Sequence, residues 1–214
     1  MTNATAHTDT FARDNLPPIE NWPEFFLDGF NYPDELNVGT ELTDAMVEKG
    51  FGDHTALIGN GRRRTYKELA DWTNRIANVL VDDIGVQPGN RILIRSANNP
   101  AMVACWLAAT KVGAVVVNSM PMLRAGELIK YVEKAQISYA LCDTRLMDEM
   151  ETCAEGNLIL KRVMGFDGTS NHEAELDRLA LEKPVKFNAV KTMQDDVALL
   201  GFTSGSTGNP KATM

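Results

Sequence analysis

The stretch Thr203-Ser-Gly-Ser-Thr-Gly-Asn-Pro-Lys211 concentrates more chemistry than any other part of the chain. Thr203, Ser204, Ser206 and Thr207 carry hydroxyls, Gly205 and Gly208 leave the backbone bare, and Lys211 adds a full positive charge. Glycines let successive backbone N–H groups converge on one point, hydroxyls donate further, and a lysine supplies charge, so the string suits an oxyanion, phosphate above all. The apolar run Val197–Phe202 just upstream reads as a buried strand that delivers its carboxyl end into this loop. Two common phosphate motifs are excluded by spacing. A Walker loop places Lys-Ser/Thr directly after its second glycine, whereas Asn209-Pro210 intervene here, and Gly205-x-x-Gly208 supplies only half of the dinucleotide fingerprint. For a generic Ser/Gly/Thr hexamer, a polar turn leaving the strand is the plain alternative.

The elements that must hold this loop follow from caps, breakers and periodicity. Met1–Asn15 reads as a polar, unanchored terminus, and Leu16-Pro-Pro with Trp22–Phe26 as an irregular arm pinning aromatic residues onto the body. A short helical pattern over Glu41–Lys49 puts Leu42, Ala45 and Met46 on one side. Ala56–Ile58 and Arg62–Thr65 form a hairpin across Gly59-Asn-Gly61. Thr65 and Glu68 make a capping box, and the helix behind it aligns Leu69, Trp72, Ile76, Val79 and Leu80. Pro88-Gly89 breaks the chain before a strand at Arg91–Arg95, and Asn99-Pro100 opens a helix that turns Val103, Trp106, Leu107 and Thr110 inward and closes at Gly113. Strands at 114–117, 139–142 and 158–164 then alternate with helices near 125–136, 144–153 and 172–181, with a loop at 165–171. This alternation predicts an α/β fold with a largely parallel sheet covered by helices on both faces. Arg62-Arg63-Arg64 reads as a solvated strand flank rather than an anion site, and Asp195-Asp196 as a loop end rather than a metal site, since neighbours on an extended chain face opposite ways. Trp72 and Trp106 read as core, and Met120-Pro-Met122 as a packing segment rather than a substrate-side loop.

Composition narrows the class. With 44% hydrophobic residues in 214, the chain has ample material for a core. A net charge of −8 argues against nucleic acid and anionic membranes as partners, while a local loop can still bind phosphate. Cys105, Cys142 and Cys153 lack Cys-x-x-Cys spacing, and His7, His54 and His172 are scattered, so no metal site is expected and a reducing cytoplasm fits. No apolar signal segment opens the chain, and the apolar stretch Ala101–Val117 is interrupted by Lys111 and Gly113, as in a buried helix followed by a strand.

The nine positions Thr203–Lys211 resemble the phosphate loop of the adenylate-forming, AMP-binding family, which includes acyl-CoA synthetases, luciferases and peptide-synthetase adenylation domains. Thr65-Tyr-Lys-Glu-Leu69, Asn74-Arg-Ile-Ala77, Gly85–Ile94 (with Asn90 where the family usually has Asp) and Asn99–Ala114 resemble further family segments in the expected order. Arg13–Glu24, and Lys211-Ala-Thr-Met in place of the commoner Lys-Gly-Val, look most like the aryl-CoA ligases of the 2-aminobenzoate and benzoate types. The resemblance implies an arm and short helix over residues 1–50, then an α/β subdomain over 51–214 that ends in the phosphate loop. It implies that Thr203, Ser204, Gly205, Ser206, Thr207 and Gly208 wrap the β- and γ-phosphates of ATP, with Lys211 adding charge and Mg²⁺ held mainly by phosphate oxygens. An aromatic carboxylate would be adenylated with release of pyrophosphate, and the thiol of coenzyme A would then displace AMP. A cytoplasmic homodimer is the family expectation. The family's adenine, ribose, magnesium and adenylation-lysine positions have no counterpart in these residues, so the chain is expected to be the front portion of a longer enzyme, to contain no catalytic residue and to be inactive alone. Two other readings stay open: an adenylation domain that loads a carrier protein, and a nucleotide-binding module without chemistry.

Overall fold

The computed structural model describes residues 4–26, 28–169, 173–203 and 210–214. Three short helices, α1 (Phe11–Asp14), α2 (Val38–Glu41) and α3 (Asp44–Met46), precede a hairpin of β1 (Thr55–Gly59) and β2 (Arg62–Thr65). Asn60 and Gly61 at its tip have φ of 52° and 70°, the left-handed pair that a tight two-residue turn requires. Thr65 ends the hairpin and starts α4 (Tyr66–Asp82): its side chain accepts from the Glu68 N–H while Glu68 reaches back to the Thr65 N–H.

From there strands and helices alternate: β3 (Arg91–Arg95), α5 (Pro100–Lys111), β4 (Val115–Ser119), α6 (Ala125–Ala135), β5 (Tyr139–Asp143), α7 (Met147–Ala154), β6 (Arg162–Phe166), α8 (Glu175–Glu182), β7 (Leu199–Thr203) and β8 (Lys211–Thr213). Six strands form one sheet in the order β6-β5-β3-β4-β7-β8, parallel throughout except for the final antiparallel pair. Both faces are covered. Ile92, Ile94, Val116, Leu141 and Phe166 pack under α4, α5 and α8, whereas Leu93, Val117, Cys142 and Leu200 pack under α6 and α7.

Asn99 caps α5 by accepting from the Met102 N–H, with Pro100 at its first position, as the sequence predicts. Of the expected stripe, Leu107 and Thr110 are buried, but the buried face is wider. Ala101, Ala104, Cys105, Ala108 and Ala109 are buried, whereas Val103 and Trp106 are only partly so. The helix is wedged between α2, α4 and the sheet, and small side chains permit that approach.

Several expectations are corrected. The helical pattern at 41–49 is broken: α2 starts earlier, capped by Asn37, and Leu42 is exposed. The strand expected over 158–164 starts only at Arg162 and runs on to Phe166, into the expected loop, while Leu158 is 95% exposed. The helix expected from 172 begins at Glu175. The N-terminal segment is anchored rather than loose. Thr5 Oγ1 and the Ala6 N–H donate to the Asp196 carboxylate, the N–H groups of Thr8 and Asp9 donate to the Pro88 carbonyl, and His7 and Ala12 are buried. Asp9 pairs with Arg91 at 2.6 Å, and the Arg91 guanidinium lies 4.6 Å from the centre of the Phe11 ring. The arm that follows does the opposite of what its aromatics suggest: Phe25, Phe26 and Phe30 are exposed, Phe26 by 80%. No helix among the described residues is long and apolar enough to cross a membrane.

Candidate phosphate-binding site

The loop string sits between two paired strands. β7 and β8 run antiparallel with Gly201 opposite Thr213, Phe202 opposite Ala212 and Thr203 opposite Lys211. Thr203 and Lys211, the two described members of the predicted set, are therefore direct cross-strand partners, and Thr203 Oγ1 donates to the Lys211 carbonyl at 3.5 Å. Ser204, Gly205, Ser206, Thr207 and Gly208 lie outside the described residues.

Strand alternation gives the hairpin two unlike faces. Leu200 and Phe202 turn toward α6, where the Phe202 ring stacks on Tyr131 with centroids 3.9 Å apart. Leu199, Thr203, Lys211 and Thr213 are exposed on the other side. The hairpin is thus anchored by one face and presents a threonine and a lysine on the other. On the anchored side, a groove of about 350 Å³ runs between Pro210 and the α6 residues Lys130, Glu133 and Lys134. Two further cations therefore flank the loop exit.

The carboxyl ends of parallel strands are where open α/β sheets bind ligands, especially where neighbouring strands send the chain to opposite faces. β3 and β4 do so, leading to α5 and α6 respectively. At this edge Arg95 is buried and donates to the carbonyls of Met120, Pro121, Leu123 and Leu146. Asp143 is also buried. Burial alone would raise its pKa, but bonds from the Arg145 guanidinium and N–H and from Ser96 hold it below the usual carboxylate range. This carboxylate is committed to tying the turn after β5 to the end of β3.

Other residues singled out from the sequence fall as follows. Arg62 and Arg63 are solvated, but Arg64 is buried with its guanidinium 4.8 Å from the Trp72 ring centre, a correction to the flank reading. Burial and the nearby Arg62 charge lower its pKa. Asp196 clamps three donors, Thr5 Oγ1 and the N–H groups of Ala6 and Met193, and so anchors the N-terminal segment just before β7. Met120 and Met122 are exposed, Met122 by 80%, so the packing reading of that segment fails. Trp72 and Trp106 are only partly buried against the core. All three thiols are buried; burial pushes Cys142 up to about 12 and Cys153 up to about 11. The sequence reading missed the Arg95 node, although an arginine closing the apolar run Ile92–Ile94 was its visible signal.

Residues 45–214 match the AMP-binding enzyme family, and the chain belongs to it. Among curated relatives, the 3-hydroxybenzoate–CoA ligase of Aromatoleum sp. (strain CIB) is 26% identical over 179 residues, covering 84% of this chain and 34% of the relative. A crotonobetaine/carnitine–CoA ligase of Salmonella paratyphi A (strain ATCC 9150 / SARB42) is 28% identical over 187 residues, covering 81% and 35%. Among solved structures, an anthranilate CoA ligase in complex with anthranoyl-AMP superposes with a TM-score of 0.75 at 18% identity, covering 85% of this chain and 34% of that one, a likeness of fold. The chain spans about a third of the length of the curated relatives it matches.

Proposed function

We propose that the chain is the phosphate-binding portion of an ATP-dependent carboxylate–CoA ligase that adenylates an aromatic acid of the 2-aminobenzoate or benzoate type. The observation that carries this is the Thr203–Lys211 pair, which brackets the Ser/Gly/Thr string at the carboxyl edge of a parallel sheet in a member of the AMP-binding family. Family members acting on 3-hydroxybenzoate support an aromatic substrate, and the string at Arg13–Glu24 supports the aryl subgroup.

Adenylation brings a carboxylate toward a polyphosphate, so like charges must be neutralised and aligned before a carboxylate oxygen displaces pyrophosphate from the α-phosphorus. On this reading Thr203, Ser204, Gly205, Ser206, Thr207 and Gly208 donate hydrogen bonds to the β- and γ-phosphates, and Lys211 supplies charge from the opposite strand. Mg²⁺, bound chiefly by phosphate oxygens, would neutralise further charge. Phe202 on Tyr131 holds the hairpin still while the loop binds. Coenzyme A accepts the acyl group in the second half-reaction, its thiol displacing AMP. The same reading divides the chain into an arm with a short helix at 1–50 and an α/β subdomain at 51–214, within a cytoplasmic homodimer.

The test is ATP–pyrophosphate exchange with 2-aminobenzoate, benzoate, 3-hydroxybenzoate, carnitine and a fatty acid, on this chain and on the longer protein that carries it. Exchange by the longer protein with an aromatic acid and none by the 214-residue chain is expected. Lys211→Met in the longer protein should raise KM for ATP by about tenfold, the value of one charge-assisted contact. Absence of exchange with every acid would sink the ligase reading, and exchange by the short chain would overturn its inactivity. Acyl transfer to a carrier protein instead of coenzyme A would move the enzyme to the carrier-loading class.

A further inference from the structure

Residues 15–33 form an arm that leaves the body after α1 and returns ahead of α2, and both of its feet are fixed. At the first, the Thr8 and Asp9 N–H groups donate to the Pro88 carbonyl and Ala12 is buried. At the second, the Leu36 N–H donates to the Thr192 carbonyl, the Gln194 N–H donates to the Asp34 carbonyl, and Glu35 bridges Met193. Between the feet, the hydrogen bonds described for residues 17–26 and 28–33 stay inside the arm: the Asn21 and Trp22 N–H groups donate to the Pro18 and Ile19 carbonyls, and the Trp22 indole N–H donates to the Pro17 carbonyl. Ile19, Phe25, Phe26, Phe30 and Tyr32 are exposed, from 49% at Tyr32 to 80% at Phe26. The Phe30 and Tyr32 rings stack only on each other, with centroids 6.2 Å apart.

Four aromatic side chains exposed to this extent leave on the order of 500 Å² of apolar surface in water, a patch large enough to mark an interaction site. Its surroundings are acidic. No Lys, Arg or His occurs from Asp14 to Glu48, and Glu20, Glu24, Asp28 and Asp34 are all exposed. Aromatic rings among carboxylates fit an apolar surface rimmed by Lys and Arg. A two-fold contact between copies would set this acidic patch against itself, and an anionic membrane would repel it. The chain spans about a third of the length of the curated relatives it matches. The second foot stands beside Met193 and Gln194, which lead into β7, and β8 covers β7 only along Gly201–Thr203. We propose that the arm is an interaction surface for the remainder of the longer protein, which covers Phe25, Phe26, Phe30 and Tyr32 with an apolar patch rimmed by Lys and Arg. This rests on the reading of the chain as part of a longer ligase. The family match begins at residue 45 and assigns nothing to the arm.

The experiment is hydroxyl-radical footprinting of the longer protein and of the 214-residue chain, with these four residues read by mass spectrometry. Burial like that of an interface core should lower their labelling about fivefold or more in the longer protein. That factor should hold between about 0.2 and 20 μM protein, as contact within one molecule requires. Combining Glu20→Lys with Glu24→Lys in the longer protein should undo about half of the protection at low salt, because like charges then face the rim. Three results would each overturn the proposal: equal labelling of the two proteins, protection that grows with concentration and so marks a second copy, or protection indifferent to both reversals. Protection in a longer protein that shows no ATP–pyrophosphate exchange would leave this inference standing while the ligase reading falls. Exchange by a longer protein whose arm is still labelled would do the reverse.

Discussion

Lys111, the last residue of α5, is fully buried, with Nζ 2.5 Å from Asp44 Oδ2 and 2.6 Å from Asn74 Oδ1. Asn74 Nδ2 in turn donates to Asp44 Oδ1 at 3.0 Å and to the Val185 carbonyl at 3.0 Å. Three helices, α3, α4 and α5, meet on one ammonium. Burial pulls the Lys111 pKa down and Asp44 only partly restores it, so it lies below the ordinary 10.5. Burial raises Asp44, but bonds from Lys111, Asn74 and Thr43 outweigh this and hold it below 3.8. Asp44→Asn keeps the shape and strands the charge. Removing one partner of a buried ion pair costs about 3–5 kcal/mol. The Asp44 side chain is 31% exposed, so water can partly substitute; the low end, about 3 kcal/mol, is expected. At about 2–4 °C per kcal/mol for a chain of this size, Tm should fall by about 6–12 °C. Lys111→Met removes the fully buried charge and leaves the Asp44 carboxylate, which at 31% exposure water can reach, so it should cost under about 1.5 kcal/mol, and adding it to Asp44→Asn should restore most of the loss. The pH dependence has a definite sign. Between the depressed folded pKa and 10.5 the unfolded chain holds more protons at Lys111 than the folded one, so stability rises with pH in that window. Losing Asp44 deepens the depression and widens the window downward, so the deficit of Asp44→Asn should shrink as pH rises toward 10.5. Thermal and urea unfolding of the four proteins near pH 7 and pH 9.5 would decide it. Asp44→Asn within about 1 kcal/mol of the parent, or a double variant no better than Asp44→Asn, would refute the reasoning.

Gly89 has φ of 87°, and a Cβ built there would overlap the Asp9 carbonyl oxygen. Gly89→Ala should cost about 2–4 kcal/mol in left-handed strain and lost docking, and should raise hydrogen exchange across Thr5–Asn15; unchanged protection there would count against the docked segment. His7 titrates below 6.5 chiefly because it is buried, despite the opposing charges of Asp196 and Asp9. Its unfolded form takes up a proton first as pH falls below 6.5, so the docked segment should lose protection between pH 7.5 and pH 5, and His7→Leu should abolish that dependence. Native protein should resist thiol reagents near pH 8, since Cys142 and Cys153 are pushed up to about 12 and about 11 and Cys105 is raised and buried, while denaturant should expose all three. Rapid labelling of native protein would contradict that burial.

What was legible in the sequence was what is decided locally. The Thr65–Glu68 box, the Asn60-Gly61 turn, the Pro88-Gly89 break and the Asn99-Pro100 start each satisfy or deny backbone hydrogen bonds within a few residues, and each stands where its chemistry places it. What failed was decided at a distance. Arg64 looks solvated until Trp72 arrives from the next helix to cover it. Thr5–Asp9 looks loose because its acceptors, Pro88 and Asp196, are far along the chain. Leu158–Leu160 has a strand's composition, yet Asn157 turns the backbone there by accepting from the Ile159 N–H. Of the candidate site, the entry strand was legible, although it starts at Leu199 rather than Val197 and buries only Leu200 rather than the whole run; the return strand β8 was not, since three residues are too few for alternation to show.

The bond from Thr5 to Asp196 spans 191 positions, and this spacing imposes an order of assembly. A ribosome releases residue 5 long before residue 196, by roughly 10–40 s at ordinary elongation speeds. During that interval the first segment can seat on Pro88 and Arg91 once β3 has emerged, yet its last anchor does not exist. Closure of this contact therefore reports that the chain has been made as far as the threshold of β7. A tag or fusion placed ahead of Thr5 would burden the segment that must wait longest for its partner.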